Sequence, residues 1–351
     1  MNKDELLRRY QAGERDFSGV DLKGAVIRDA DLNHVNLSHA NLNGTGFDHV
    51  NLSYANLNRA NLGGANFNTV NLTYANLSHT NFMGGADLDN VNFSYADLSN
   101  VCLDHTLSKN CHLTGANLSR MSALQSSWEN CDFSGADLSN IHFEEVSLLG
   151  SNLSHTSLTH ACLSLSVNLS GVNLSNANLT DANLTGVCGW SGVNLSGAKL
   201  TRTLYGPCLS APANFDLTQM GAILIESGAD LSGFDLSYYV SHFHKNFRIS
   251  VIGGLSDVNF SHANLSGIDL SDEELTQANF SHANLTRVNL NGADLTHANF
   301  CNANLEEADL SYSDLSHANL SNANLTNANL TEVTFCHTIM PNGSVRNENS
   351  D

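Results

Sequence analysis

Basic residues are scarce in this chain. Its 351 residues include 15 Lys and Arg against 35 Asp and Glu, a formal net charge of −20 with His counted neutral. Direct binding to nucleic acid needs a basic patch or stripe, so that balance argues against it. Charge of either sign is thin at 14% of residues, while 41% are hydrophobic, enough apolar matter for a narrow core. Long apolar runs are missing too. No stretch approaches the ~20 residues of a membrane span, and the first residues lack the apolar centre of a signal peptide. A cytoplasmic protein with no membrane span is expected, and the many Asn-Leu-Ser and Asn-Leu-Thr triplets are then not glycosylation sites.

What the chain does contain is one unit of five residues, repeated. Between Asp257 and Met340 it reads, for example, Asn-Phe-Ser-His-Ala, Asn-Leu-Thr-Arg-Val, Asn-Leu-Asn-Gly-Ala, with Leu or Phe at the centre of each unit until Met340. A helix advances about 100° per residue, so positions five apart would drift around it and never form a stripe. In extended chain the small residue and the centre share a face, while the Asn or Asp between them points the other way. Such a unit cannot bury its apolar pair alone, so successive turns must stack into a solenoid. Like residues recur at four-unit intervals: Phe260, Phe280 and Phe300; Tyr54 and Tyr74; His262 and His282; His297, His317 and His337. Four units per turn makes a four-sided coil.

The motif Ala-(Asp/Asn)-Leu, as in Ala40-Asn41-Leu42, Ala86-Asp87-Leu88 and Ala323-Asn324-Leu325, resembles that of the pentapeptide repeat proteins. The opening and closing stretches resemble cyanobacterial members. The resemblance covers nearly the whole chain. It implies an all-β fold, a right-handed quadrilateral parallel β-helix.

Along the chain, residues 1–14 are expected to form a short N-terminal capping helix. Asn2 can cap it, Glu5 and Arg9 pair at i,i+4, and Leu6, Leu7 and Tyr10 make an apolar edge. The coil spans 15–236, with single extra residues at Met83 to Ala86 and Leu165 to Val167. Around Ser108, Ala123 and Trp128 the centre degenerates, which predicts a loosely filled or bowed side. From about residue 187 the pattern weakens, Gly189, Trp190, Pro207 and Pro212 reading as local breakers. Residues 237–256 are an irregular interruption, 257–340 resume the coil, and 341–351 form a polar tail expected to be disordered. Of the eight cysteines, Cys111 and Cys131 occupy inward positions one turn apart and read as core filler. Cys102, Cys162, Cys301 and Cys336 fall on outward phases, and free thiols suit a reducing compartment.

No nucleophile is held by a base and an orienting partner, and neighbours such as Asp314, Ser316 and His317 occur because the repeat is spelled in those letters. A non-enzymatic protein without cofactor is expected. The column His297, His317, His337 is a weak candidate for a divalent metal such as zinc. Candidates for contact with a protein partner are the aromatic, locally basic run Tyr238, Tyr239, His242, Phe243, His244, Lys245, Phe247, Arg248, and the column Tyr54, Tyr74, Tyr95. The reading is a protein-interaction scaffold of unknown partner. The alternative follows from the resemblance, since some pentapeptide repeat proteins act on DNA gyrase as acidic mimics of DNA.

Overall fold

The computed structural model describes residues 1–206, 223–224, 229–234 and 255–347. The chain divides into two compact units, 1–222 and 223–351. Among the described residues no helix is long and apolar enough to cross a membrane.

The first unit opens with helix α1, Lys3–Gln11. Asn2 Oδ1 accepts the Glu5 N–H at 2.9 Å, and acids fill the first turn and bases the last, which suits the helix dipole. Leu6 and Tyr10 are buried against the first turn of the coil. The Tyr10 hydroxyl donates to the Asn33 carbonyl at 2.9 Å, and the Arg15 guanidinium lies 3.8 Å over the Tyr10 ring. The helix therefore covers an end that would otherwise expose apolar core and unpaired backbone.

From Asp16 the backbone winds as a parallel β-solenoid, four-sided and twenty residues to the turn. Its first four columns of parallel pairing run Asp16↔Asn36, Asp21↔Asn41, Val26↔Gly46 and Asp31↔Asn51. Each side contributes one or a few paired residues. Asn36, for example, donates its N–H to Arg15 O and accepts the Phe17 N–H at its carbonyl, both at 2.7 Å, while the Leu37 N–H donates to Asn56 O at 2.7 Å.

The choice of Asn or Asp in each unit has a physical cause. The side-chain oxygen accepts the N–H two residues on, as Asn36 Oδ1 does from Ser38 at 3.1 Å, and this forms the bend of the corner. The Asn amide also donates to the side chain one turn earlier: Asn56 to Asn36 at 3.0 Å, and Asn36 to Asp16 at 2.9 Å. A carboxylate can only accept, so Asp suits the first rung of a ladder and Asn the later ones. Asp16, Asp21 and Asp31 head three of the four ladders.

Inside, the small residue and the central Leu or Phe of each unit form one buried cluster from Leu6 to Leu200. Ser108, Ala123 and Trp128 are fully buried within it, which corrects the expectation of a loosely filled side. Ser108 and Trp128 face each other in register, and the indole lies 5.6 Å from the Phe133 ring. Three extra residues enter among the described residues of the first unit. The pairing step rises from twenty to twenty-one at Asn66↔Asp87, beside Gly84 and Gly85, and again at Ser147↔Asn168, beside Leu165 and Ser166. The third is Gly189. Trp190 is no breaker: it takes the central core position at 2% exposure, and the ladder runs on through Asn173↔Asn194 to Leu204–Tyr205.

The second unit has four such columns of its own, through Asn259↔Asn279, Asn264↔Asn284, Asp269↔Asn289 and Glu274↔Asp294. Phe260, Phe280 and Phe300 stack at 5.3 and 4.9 Å. Asp230 pairs with Asn259 across 29 residues, with Asn259 Nδ2 donating to Asp230 Oδ1 at 2.9 Å. The last turn ends in order, not as a loose tail. Thr338–Ile339 pairs antiparallel with Val345–Arg346, and the Arg346 guanidinium lies 4.2 Å over Phe335.

Candidate functional site

The corners are where this fold offers side chains to solvent. The last residue of each unit adopts positive φ, including 54° at His34, 59° at Tyr54 and 60° at Tyr74 and Tyr95. The left-handed region costs a bulky residue roughly 1–2 kcal/mol, so glycine would suit the backbone better. Tyr at three successive corners is therefore a choice about the surface.

Those rings form a continuous stack. His34 to Tyr54 is 4.8 Å between centroids, and Tyr54 to Tyr74 and Tyr74 to Tyr95 are each 5.1 Å, all within 11° of parallel. The three tyrosines are 52, 49 and 53% exposed, so the stack is an open apolar edge. It ends at Gly115, where an added Cβ would come 2.6 Å from the Tyr95 ring. Five residues further along each turn, on the next corner, stand His39, Arg59 and His79, also at positive φ. Between the two corners lie Asn36, Asn56 and Asn76 with Ser38, Asn58 and Ser78. This face carries no carboxylate at residues 34–39, 54–59 and 74–79, on a chain of net charge −20, and Asp97 enters the column in the following turn, beside Tyr95. The neighbouring basic column was not singled out in the sequence, although the same twenty-residue step that reveals the tyrosines would have revealed it.

The histidine column is also assembled. His297 to His317 is 4.7 Å between ring centroids and His317 to His337 is 5.2 Å, within 8° and 3° of parallel. Cys336 joins it, with Sγ 3.2 Å from His337 Nδ1. One ligand atom each from His317, Cys336 and His337 lies within 4.8 Å of the others. Asp314, by contrast, accepts the Ser316 N–H at 2.9 Å, which is the ordinary corner bond of the repeat, so the carboxylate holds backbone rather than orienting His317.

Tyr238, Tyr239, His242, Phe243, His244, Lys245, Phe247 and Arg248 lie outside the described residues. Among the other thiols, Cys162 is on an outward phase as expected yet is fully buried. Cys111 and Cys131 are core residues, and the Cys131 thiol together with burial pushes the Cys111 thiol well above its ordinary range. A shallow cavity of about 440 Å³ lies where α1 meets the first turn, lined by Tyr10, Arg15, Arg28, Asp29 and Asp31. In the second unit, Glu274, Asp294 and Asp314 are stacked in one column, with Asp269 and Asp309 on the adjoining side.

The family model described as pentapeptide repeats (8 copies) matches residues 16–107, 111–188 and 255–342 in overlapping segments. Among solved structures, HetL from the cyanobacterium Nostoc sp. strain PCC 7120 is a pentapeptide repeat protein involved in heterocyst differentiation regulation. It is 24% identical over 99% of this chain and 100% of its own, at a TM-score of 0.22. Full-length QnrB1, a plasmid-mediated fluoroquinolone resistance protein, is 18% identical over 50% of this chain and 93% of its own, at a TM-score of 0.23. Rfr23 from the cyanobacterium Cyanothece 51142 is 21% identical over 56% and 93%, at 0.15. No match was found among curated protein sequences.

Proposed function

The chain belongs to the pentapeptide repeat family, and from that premise we propose that it is a non-enzymatic scaffold that binds a protein partner across the face between the Tyr54–Tyr74–Tyr95 corner and the His39–Arg59–His79 corner. The observation that carries this reading is the exposed tyrosine stack. Three half-exposed rings at left-handed corners add apolar contact area at a cost to the backbone, and aromatic residues are enriched where proteins bind one another. The flanking His and Arg residues, and a face between that carries no carboxylate before Asp97 beside Tyr95, favour a partner that presents acidic groups beside an apolar edge.

The test is capture from host lysate by immobilised wild type and by the triple variant Tyr54→Ser/Tyr74→Ser/Tyr95→Ser, at about 0.05 M and about 0.5 M salt. Screening shortens electrostatic reach from roughly 14 Å to roughly 4 Å over that range. A partner held by wild type at both concentrations and lost by the triple variant is the expected result. Identical proteins retained by both would remove the stripe from the account.

A second reading has one observation in its favour. The column Glu274, Asp294, Asp314, with Asp269 and Asp309 beside it, makes an acidic flank on the second unit, as a mimic of DNA would require. Under that reading the captured protein binds DNA, is retained only at low salt, and is displaced by added duplex. Replacement of Glu274, Asp294 and Asp314 by Gln or Asn would abolish its capture.

A further inference from the structure

We propose that His317, Cys336 and His337 form a binding site for a divalent transition metal, with zinc as the natural occupant. Two imidazoles and a thiolate are borderline and soft donors, a set that favours zinc and its transition-metal neighbours over magnesium or calcium. The backbone already holds the three in place. The His317 N–H donates to the Cys336 carbonyl at 2.7 Å, which locks the two turns in register, and the His337 N–H donates to Asn347 Oδ1 at 2.9 Å.

The distances are close to what a tetrahedral ion needs. Zinc bonds of about 2.3 Å to sulfur and 2.0–2.1 Å to nitrogen imply a sulfur–nitrogen separation of roughly 3.6 Å. Cys336 Sγ and His337 Nδ1 are 3.2 Å apart, and no pair in the group exceeds 4.8 Å. One adjustment is required. The His317 and His337 rings are parallel to within 3°, so their lone pairs run side by side. One ring must turn about its Cβ–Cγ bond to aim at a shared ion, and both are exposed and free to do so. On binding, the Cys336 thiol releases its proton to solvent and the thiolate occupies the ion. Three protein donors leave a fourth position for water or for a side chain from a partner.

The molecule contains its own control. His262 and His282 stack in the same way, 4.8 Å apart and within 4° of parallel, and the Cys301 carbonyl accepts the His282 N–H at 2.9 Å as Cys336 does from His317, but Asn302 follows Cys301 where His337 follows Cys336. If stacked histidines sufficed, both columns would bind.

The experiment is equilibrium dialysis of the full chain against zinc chloride, paired with cobalt(II) absorption in the near ultraviolet, where thiolate-to-cobalt charge transfer appears. Wild type, Cys336→Ser, His317→Ala, His282→Ala and Cys301→Ser are compared under reducing conditions, with thermal melts confirming that each variant is folded. The expected result is one zinc per chain in wild type. Cys336→Ser and His317→Ala should each weaken binding by at least about tenfold, and Cys336→Ser should lose the charge-transfer band. His282→Ala and Cys301→Ser should retain both affinity and band. Equal zinc affinity in wild type and Cys336→Ser, or a cobalt complex of wild type without the thiolate band, would overturn the assignment.

Discussion

Phe67→Ala should be among the most damaging single changes in the first unit. Phe67 is 1% exposed, stacks on Phe47 at 5.0 Å and meets Phe82 at 6.1 Å. Truncating a buried Phe costs about 3–5 kcal/mol through lost burial and the cavity left behind. Two ring contacts are lost with it, each worth roughly 0.5–1.5 kcal/mol beyond burial, which places this site near the top of that range. Phe67→Leu is the comparison, because Leu88 already occupies the next step of the same column, and it should cost less than about 1.5 kcal/mol. Urea denaturation measures both. Because each turn touches only its neighbours, hydrogen exchange should speed up at the Asn66 and Asn71 amides and stay unchanged at Asn194, whose N–H donates to Val172 O at 3.0 Å. A loss below about 2 kcal/mol, or faster exchange spread evenly from Asn36 to Asn194, would refute the reasoning.

Gly189→Ala must place a methyl group against Asn168 Oδ1 and 2.6 Å from Ser170 Oγ at φ +67°, whereas Gly24→Ala has the same φ and open space. Differential scanning calorimetry should show Gly24→Ala losing about 1–2 kcal/mol and Gly189→Ala more; equal losses would mean that the close approach does not matter. The Asp132 carboxyl sits below its ordinary value of 3.8: burial opposes this, but the Ser134 N–H and hydroxyl, the Thr114 hydroxyl and the Asn152 amide together outweigh it. Its stabilisation is complete above pH 3.8 and is lost as pH falls through the lower folded-state value. Below about pH 4, wild type should therefore lose stability more steeply than Asp132→Asn in acid titrations followed by circular dichroism, and parallel curves would count against it. Deleting α1 exposes the core around Phe17 and Leu22 and should cause aggregation in light scattering; an unchanged particle mass would show the cap to be dispensable.

Most of the fold was legible because one letter pattern controls it. The centre-to-centre period excluded a helix, and the Phe, Tyr and His intervals set the twenty-residue turn that the pairing follows. The extra residues near Gly84 and Ser166 were legible because the columns resume beyond them. Trp190 was misread because Gly189 moves it one place out of phase and Trp is foreign to the repeat, yet its bulk belongs in the core. Trp128 and Ser108 were misread for a related reason. Both are fully buried at central positions in adjacent turns, while in sequence each looks like a fault. At the histidine column the twenty-residue step leads from His337 through His317 to His297. The thiol lies sideways, one residue before His337, where a repeat viewed by column does not look.

The corners set a rule for how such a chain can change over time. An added residue inside a side would turn every following Leu or Phe toward water until the phase was restored. The same residue added at a corner bulges outward, and the next side resumes its column, as it does after Gly85 and after Ser166. Asp230 pairs with Asn259 across 29 residues, so the column also holds across a larger step. Gly189 is the exception: it enters within a side, between Cys188 and Trp190, where a glycine at φ +67° returns the chain to phase at once. A lineage built on this coil can acquire a new loop at almost any corner without redesigning its interior, and variation in length becomes raw material for recognition instead of damage.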